Sequence, residues 1–172
     1  VTEVAIVALH VSRVHAYEGR PADGPQPDPE PVARDAVEVR AGKGIVGDRF
    51  FNHPAHRKAA VTFFAAESLD RLGITASPLL TRRNVVLRGF PIDDLAARRG
   101  TPGSVFSLNS GDGAIRFQAY RPASPCAWMD VAFGEGAFRG LRGHGGVRCV
   151  PLDDGVLRVG SAQLELWTPT LL

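Results

Sequence analysis

The chain has 172 residues, 44% hydrophobic and 22% charged, with a formal net charge of +2. That suits one ordinary globular domain with its own core, and no run approaches the roughly 18 apolar residues of a membrane span. The opening Val4–Leu9 lacks the basic flank and length of a secretory leader, and two cysteines make no disulfide scaffold, so a cytoplasmic protein without membrane association is expected.

In chain order, Val4–Val11 is a β-branched apolar run and reads as a buried strand. Gly19–Arg34 holds five prolines among Asp, Gly and Gln, a composition that neither packs nor pairs, and reads as an exposed insertion or a lid. The stretch Glu18–Glu38 carries six acids against two arginines, leaving the rest of the chain at +6. A basic body suits an anionic ligand, and a phosphorylated small molecule fits better than nucleic acid because no aromatic-interleaved basic stripe is present.

Ala36–Arg40 alternates as a strand, and Gly42–Gly47 is a glycine-rich turn into Asp48-Arg49. Ala59–Phe64 reads as a strand, Ala65–Leu72 as a helix ended by Gly73, Asn84–Leu87 as a strand and Ile92–Ala97 as a helical turn. Ser104–Leu108 and Ile115–Tyr120 flank a hairpin loop at 109–113. Met129–Leu141, broken by Gly134 and Gly136, reads as two short helices. Val147–Leu152, Val156–Val159 and Ala162–Trp167 complete eight or nine short strands of antiparallel character. A single mostly-β domain, a closed or partly closed barrel with a few short peripheral helices, is expected over 1–172.

Cys126 is the residue best placed for chemistry. It follows a strand through Arg121-Pro122-Ala123-Ser124-Pro125, a run too stiff to continue a sheet, and Arg121 brings a cation close in sequence. Such a sulfur can be a nucleophile, a persulfide carrier or a soft metal ligand. Cys149, within a strand, reads as a buried hydrophobe, and Asp130 as a helix cap. Arg82-Arg83-Asn84 and Asp48-Arg49 form a second constellation, since guanidinium forks grip phosphate. A third is the glycine-rich run from Gly134 to Arg148, which includes Arg142 and could offer N–H groups to an anion. His53 and His56 are one helical turn apart, but Pro54 argues against a helix there. Paired zinc-type cysteines and nucleotide-binding or nucleophile-elbow motifs are absent.

Five short motifs in order carry a resemblance: Gly44-Ile45-Val46-Gly47-Asp48-Arg49, Arg82-Arg83-Asn84-Val85-Val86, Ser124-Pro125-Cys126-Ala127-Trp128-Met129-Asp130, Leu141 to Arg148, and Leu157-Arg158-Val159-Gly160. Together they resemble the MOSC family, named for the C-terminal domain of molybdenum cofactor sulfurase. The resemblance implies a barrel-like mostly-β fold and a molybdenum cofactor (molybdopterin). It also implies Cys126 as metal ligand and catalytic residue, with Arg82 and Asn84 at the pterin phosphate. Arg49, Asp48, Arg142 and Arg121 are added as cofactor-binding candidates.

An oxidoreductase reducing N-hydroxylated small molecules is the first functional expectation. The second is a sulfur carrier whose Cys126 accepts a persulfide from a cysteine desulfurase, with pyridoxal phosphate only on that partner. A non-catalytic anion-binding module is third. Neither the N-terminal β-domain of the amidoxime-reducing relatives nor the sulfurase's desulfurase domain is visible. The electron or sulfur donor is therefore expected to be a separate protein.

Overall fold

A computed structural model describes residues 1–168. Its strands are β1 (Thr2–His10), β2 (Ala33–Arg34), β3 (Ala36–Arg40), β4 (Gly44–Ile45), β5 (Val61–Ala65), β6 (Val85–Arg88), β7 (Val105–Asn109), β8 (Ala114–Pro122), β9 (Val147–Pro151), β10 (Gly155–Arg158) and β11 (Gly160–Trp167). Helices are short: α1 (Glu67–Asp70), α2 (Trp128–Phe133) and α3 (Ala137–Gly140). Seven strands close a barrel in the order β1-β11-β7-β8-β9-β5-β6 and back to β1. β2 flanks β1, and β10-β3-β4 form a small second sheet. No helix is long and apolar enough to cross a membrane among the described residues.

The barrel forms where alternation puts one face of each strand inward. In β8, Ile115, Phe117 and Ala119 are buried while their neighbours are partly or fully exposed. Phe63, Phe106 and Phe117 meet at the centre, with Phe63 edge-on to the other two at 5.2 and 4.9 Å. Burying each such ring contributes about 1.5–3 kcal/mol. The β7–β8 hairpin turns where expected, and Gly111 N–H donates to Asn109 Oδ1 at 2.9 Å.

Four expectations need correction. Eleven strands are present among the described residues, because β2 and β4 are two-residue pieces too short to show a pattern of their own. One pair, β5–β6, is parallel, since the chain between them crosses outside the barrel. The helix expected over Ala65–Leu72 shrinks to the four residues of α1. Strand pairing claims the chain as far as Ala65, because β5 is buried throughout and paired on both sides. Likewise Ile92–Leu95 is a 3-10 turn that stops short of Ala97.

Outward-facing Phe64 and Val86 build a second cluster with Trp128, Met129 and Leu141. This cluster seats α2 and α3 on the barrel wall. It therefore fixes the loop that immediately precedes α2, the one carrying Cys126.

Candidate functional site

Cys126 is exposed, while Cys149 is wholly buried and its thiol is pushed well above the ordinary range by that burial. The Cys126 loop is held from beneath by Arg83. Its Nε donates to Gly145 O at 2.9 Å, and Nη2 donates to Ala123 O and Ser124 O at 3.2 Å each. Burial, and then the nearby Arg148, push the Arg83 guanidinium down to about 10, so it remains charged at neutral pH. Gly145 and Gly146 permit this crossing. A Cβ on Gly145 would lie 2.1 Å from Ala123 O, and one on Gly146 2.0 Å from Phe63 O.

Beside the loop, Tyr17 stacks on Trp128 with centroids 5.1 Å apart, and the Arg82 guanidinium lies 5.5 Å from the Tyr17 ring. Arg82 is buried and its backbone is left-handed, at φ +59°. A non-glycine residue there is uncommon, and such outliers concentrate at working sites. Its fork is taken by Asp28: Nη1 donates to Oδ2 at 2.9 Å and Nη2 to Oδ1 at 2.8 Å. Nη2 also donates to Val14 O at 2.9 Å, and Ser12 Oγ donates to Asp28 Oδ1. The hydrogen bonds from Arg82 hold the Asp28 carboxyl below its ordinary value, against a smaller opposing effect of burial.

Arg49 adjoins Arg82, donating through Nη2 to Arg82 O and through Nη1 to Asp48 Oδ1, both at 3.3 Å. Asp48 braces it, accepting from the N–H groups of Ser12 and Phe50 at 3.3 Å each. Burial raises the Asp48 carboxyl above its ordinary value despite Arg49. Asn84 is a cross-brace too. Its Oδ1 accepts from Thr62 N and Oγ1 at 3.0 and 3.1 Å, and its Nδ2 donates to His10 O at 3.1 Å.

Of the residues singled out by sequence, Asp48, Arg49, Arg82 and Asn84 thus come together, and Cys126 lies two residues before Trp128, on which Tyr17 stacks. Two lie elsewhere. Arg121 lines a recess of about 420 Å³ with His56, Lys58, Tyr120 and Arg148. Exposed Arg142 sits 5.4 Å from the Phe138 ring, on the helical side. Asp130 caps as expected, accepting from Phe138 N–H at 2.8 Å and so tying α2 to α3.

Sequence reasoning missed His10, Ser12, Tyr17 and Asp28. His10 is fully buried, and neither ring nitrogen has a partner. Burial first, then Arg82 and Arg49, hold it down to about 3, so it is neutral. A histidine ending an apolar strand was the available signal. Asp28 offered none, being one acid among several in a proline-rich stretch.

No family model matches the chain, and no curated protein does. Solved structures do. The YuaD protein from Bacillus subtilis is 15% identical with a TM-score of 0.67, over 96% of this chain and 97% of that one. YiiM from Geobacillus stearothermophilus is 18% identical with a TM-score of 0.61, over 96% and 75%. A hypothetical protein is 15% identical with a TM-score of 0.58, over 96% and 69%. At these identities the likeness is one of fold: a closed, mixed, mostly-β barrel of the MOSC type with few short helices.

Proposed function

We propose that the chain binds a phosphorylated pterin–molybdenum cofactor and acts as an oxidoreductase on N-hydroxylated small molecules, fed by a separate electron-donor protein. The observation that carries this reading is an exposed thiol on an arginine-pinned loop, together with two largely buried arginines, Arg82 and Arg49, that touch one another.

Two features of the side chains suit such a group. No three metal-ligating side chains converge among the described residues, so a metal held at Cys126 would have to bring its other ligands with it. The Nε groups of Arg82 and Arg49 are buried without partners, leaving donors for phosphate oxygens.

Cys126 would supply one soft sulfur ligand, and Arg82 and Arg49 would grip the phosphate. Asp48 braces Arg49, Asn84 ties His10 of β1 to Thr62 of β5 beside Arg82, and Tyr17 stacks between Trp128 and the Arg82 guanidinium. When bound, the cofactor supplies the redox chemistry, while this chain orients it and limits access. The recess lined by Lys58, Arg121 and Arg148 would favour polar or anionic substrates.

Molybdenum and pterin per chain, from a cofactor-competent host, test this. Wild type should carry both and Cys126→Ser should lose the metal. Absence of both from wild type would remove the proposal.

One observation favours a second reading. Only Cys126 can be reached by a partner, since Cys149 is sealed in the barrel. As a sulfur carrier, Cys126 would attack the outer sulfur of a desulfurase persulfide, releasing the desulfurase thiolate. Incubation with a desulfurase and cysteine should add about 32 Da, one sulfur atom, at Cys126. Labelling at Cys149 alone would exclude it.

A further inference from the structure

We infer that the Arg82 guanidinium fork is an anion site held shut by its own chain, with the Asp28 carboxylate as resident occupant and the proline-rich strap around it as the gate. The inference rests on the reading of Arg82 as a phosphate grip, and adds how that grip is regulated.

Asp28 satisfies Arg82 as a ligand would. Two carboxylate oxygens meet the two terminal nitrogens at 2.8 and 2.9 Å, with Ser12 Oγ as a third donor. The Asp28 side chain is 23% exposed and that of Arg82 9%, so the pair is largely screened from water. Among the described residues, no other ion pair of the strap is buried. Arg13–Glu30 and Arg34–Glu30 involve side chains 32–66% exposed, and such pairs contribute little. No residue from Glu18 to Asp35 belongs to either hydrophobic cluster among the described residues. Withdrawing Asp28 therefore opens no hole in the core.

The strap is also built to move as a piece. Its prolines limit internal flexing. Gly19 and Gly24, both at positive φ with open space around them, provide pivots. A cleft of about 330 Å³ already lies beside Pro29 and Glu30, reaching Val11, Ser12 and Gly47.

The chemistry of the fork names the competitor. A phosphate monoester presents the same two-oxygen edge as a carboxylate, carries closer to two negative charges than one, and has a further oxygen for Ser12 Oγ or the unpartnered Nε groups. A phosphorylated ligand displaces Asp28 where a simple carboxylate only replaces like with like. Its apparent affinity is reduced by the fraction of molecules in which the strap is closed.

Binding of inorganic phosphate, with acetate as control, to wild type, Asp28→Asn and Asp28→Asn/Arg82→Gln tests the gate. Asp28→Asn keeps the shape and removes the charge. It should bind phosphate ~10-fold tighter or more than wild type, and the double variant should lose that gain. Hydrogen exchange across residues 19–31 should speed up when phosphate is added to wild type. Should the Asp28→Asn substitution distort the strap, replacing residues 19–30 by a short Gly-Ser linker should give the same gain in affinity.

Unchanged or weaker phosphate binding in both opened variants, or strap exchange indifferent to phosphate, overturns the inference. Acetate binding wild type as tightly as phosphate does so too. Absence of molybdenum alongside a gain in phosphate affinity would remove the cofactor reading and leave the gate standing. A loaded cofactor with no gain would do the reverse.

Discussion

His10 ends β1 with both ring nitrogens buried and without partners, facing the charges of Arg82 and Arg49. Its folded-state value of about 3 lies far below the ordinary 6.5. Below about pH 6.5 the unfolded chain takes up a proton that the folded chain cannot accept. Stability from this residue is therefore full above that pH and is lost as pH falls towards 3. Asp48, raised by burial, acts in the opposite sense, and Asp28, lowered chiefly by its bonds from Arg82, adds to the loss only below about pH 4. Between about pH 6.5 and 4.5 wild type should lose roughly 2–3 kcal/mol, and His10→Leu should lose much less. Urea titrations at both pH values check this. At this scale Cys126, Arg82 and Arg49 were legible because their chemistry is carried by residue type. Asp28 was not, because its role comes from a partner 54 positions away.

The entry to β9 is where backbone approach decides the site's shape. Gly145 and Gly146 run against the carbonyls of Ala123 and Phe63 with no room for a methyl group, while Gly143, at φ +77°, faces open space. Gly145→Ala is expected to destabilise by ~2 kcal/mol or more and to displace the Cys126 loop. Gly143→Ala carries only the backbone strain, about 1 kcal/mol. Denaturant unfolding of the two variants separates clash from strain. A second local device sits on β8. Ala119 pairs with Cys149 and Pro122 with Val147, so β8 holds one extra residue there. This bulge leaves both Tyr120 and Arg121 on the open side, directing Arg121 to the Lys58–Arg148 recess and away from Arg82. The sequence pattern located both strands but ended β8 at Tyr120, whereas Arg121 and Pro122 continue it. It contained no sign of the bulge, since one inserted residue leaves the local composition unchanged.

Closure of the barrel joins the two ends of the described chain. β1 pairs with β11 from Thr2↔Leu164 to Ile6↔Gly160, and β11 also pairs with β7. Ala162 and Leu164 point into the core from this strand. Deleting residues 160–172 should therefore abolish cooperative unfolding and the near-ultraviolet circular dichroism signal of the packed aromatics, because it leaves two unpaired edges and an open core. Replacing the strap should leave both intact.

Alternation and glycine and proline placement determined the longer strands and the mostly-β class, and residue type with motif order singled out Cys126 as the candidate, because these follow from side-chain periodicity and backbone permission along the chain itself. Only the tertiary structure decided the parallel β5–β6 pair, the burial of His10 and the seating of Asp28 in the Arg82 fork. Each depends on which distant segments closure brings face to face, and nothing local in the chain encodes that.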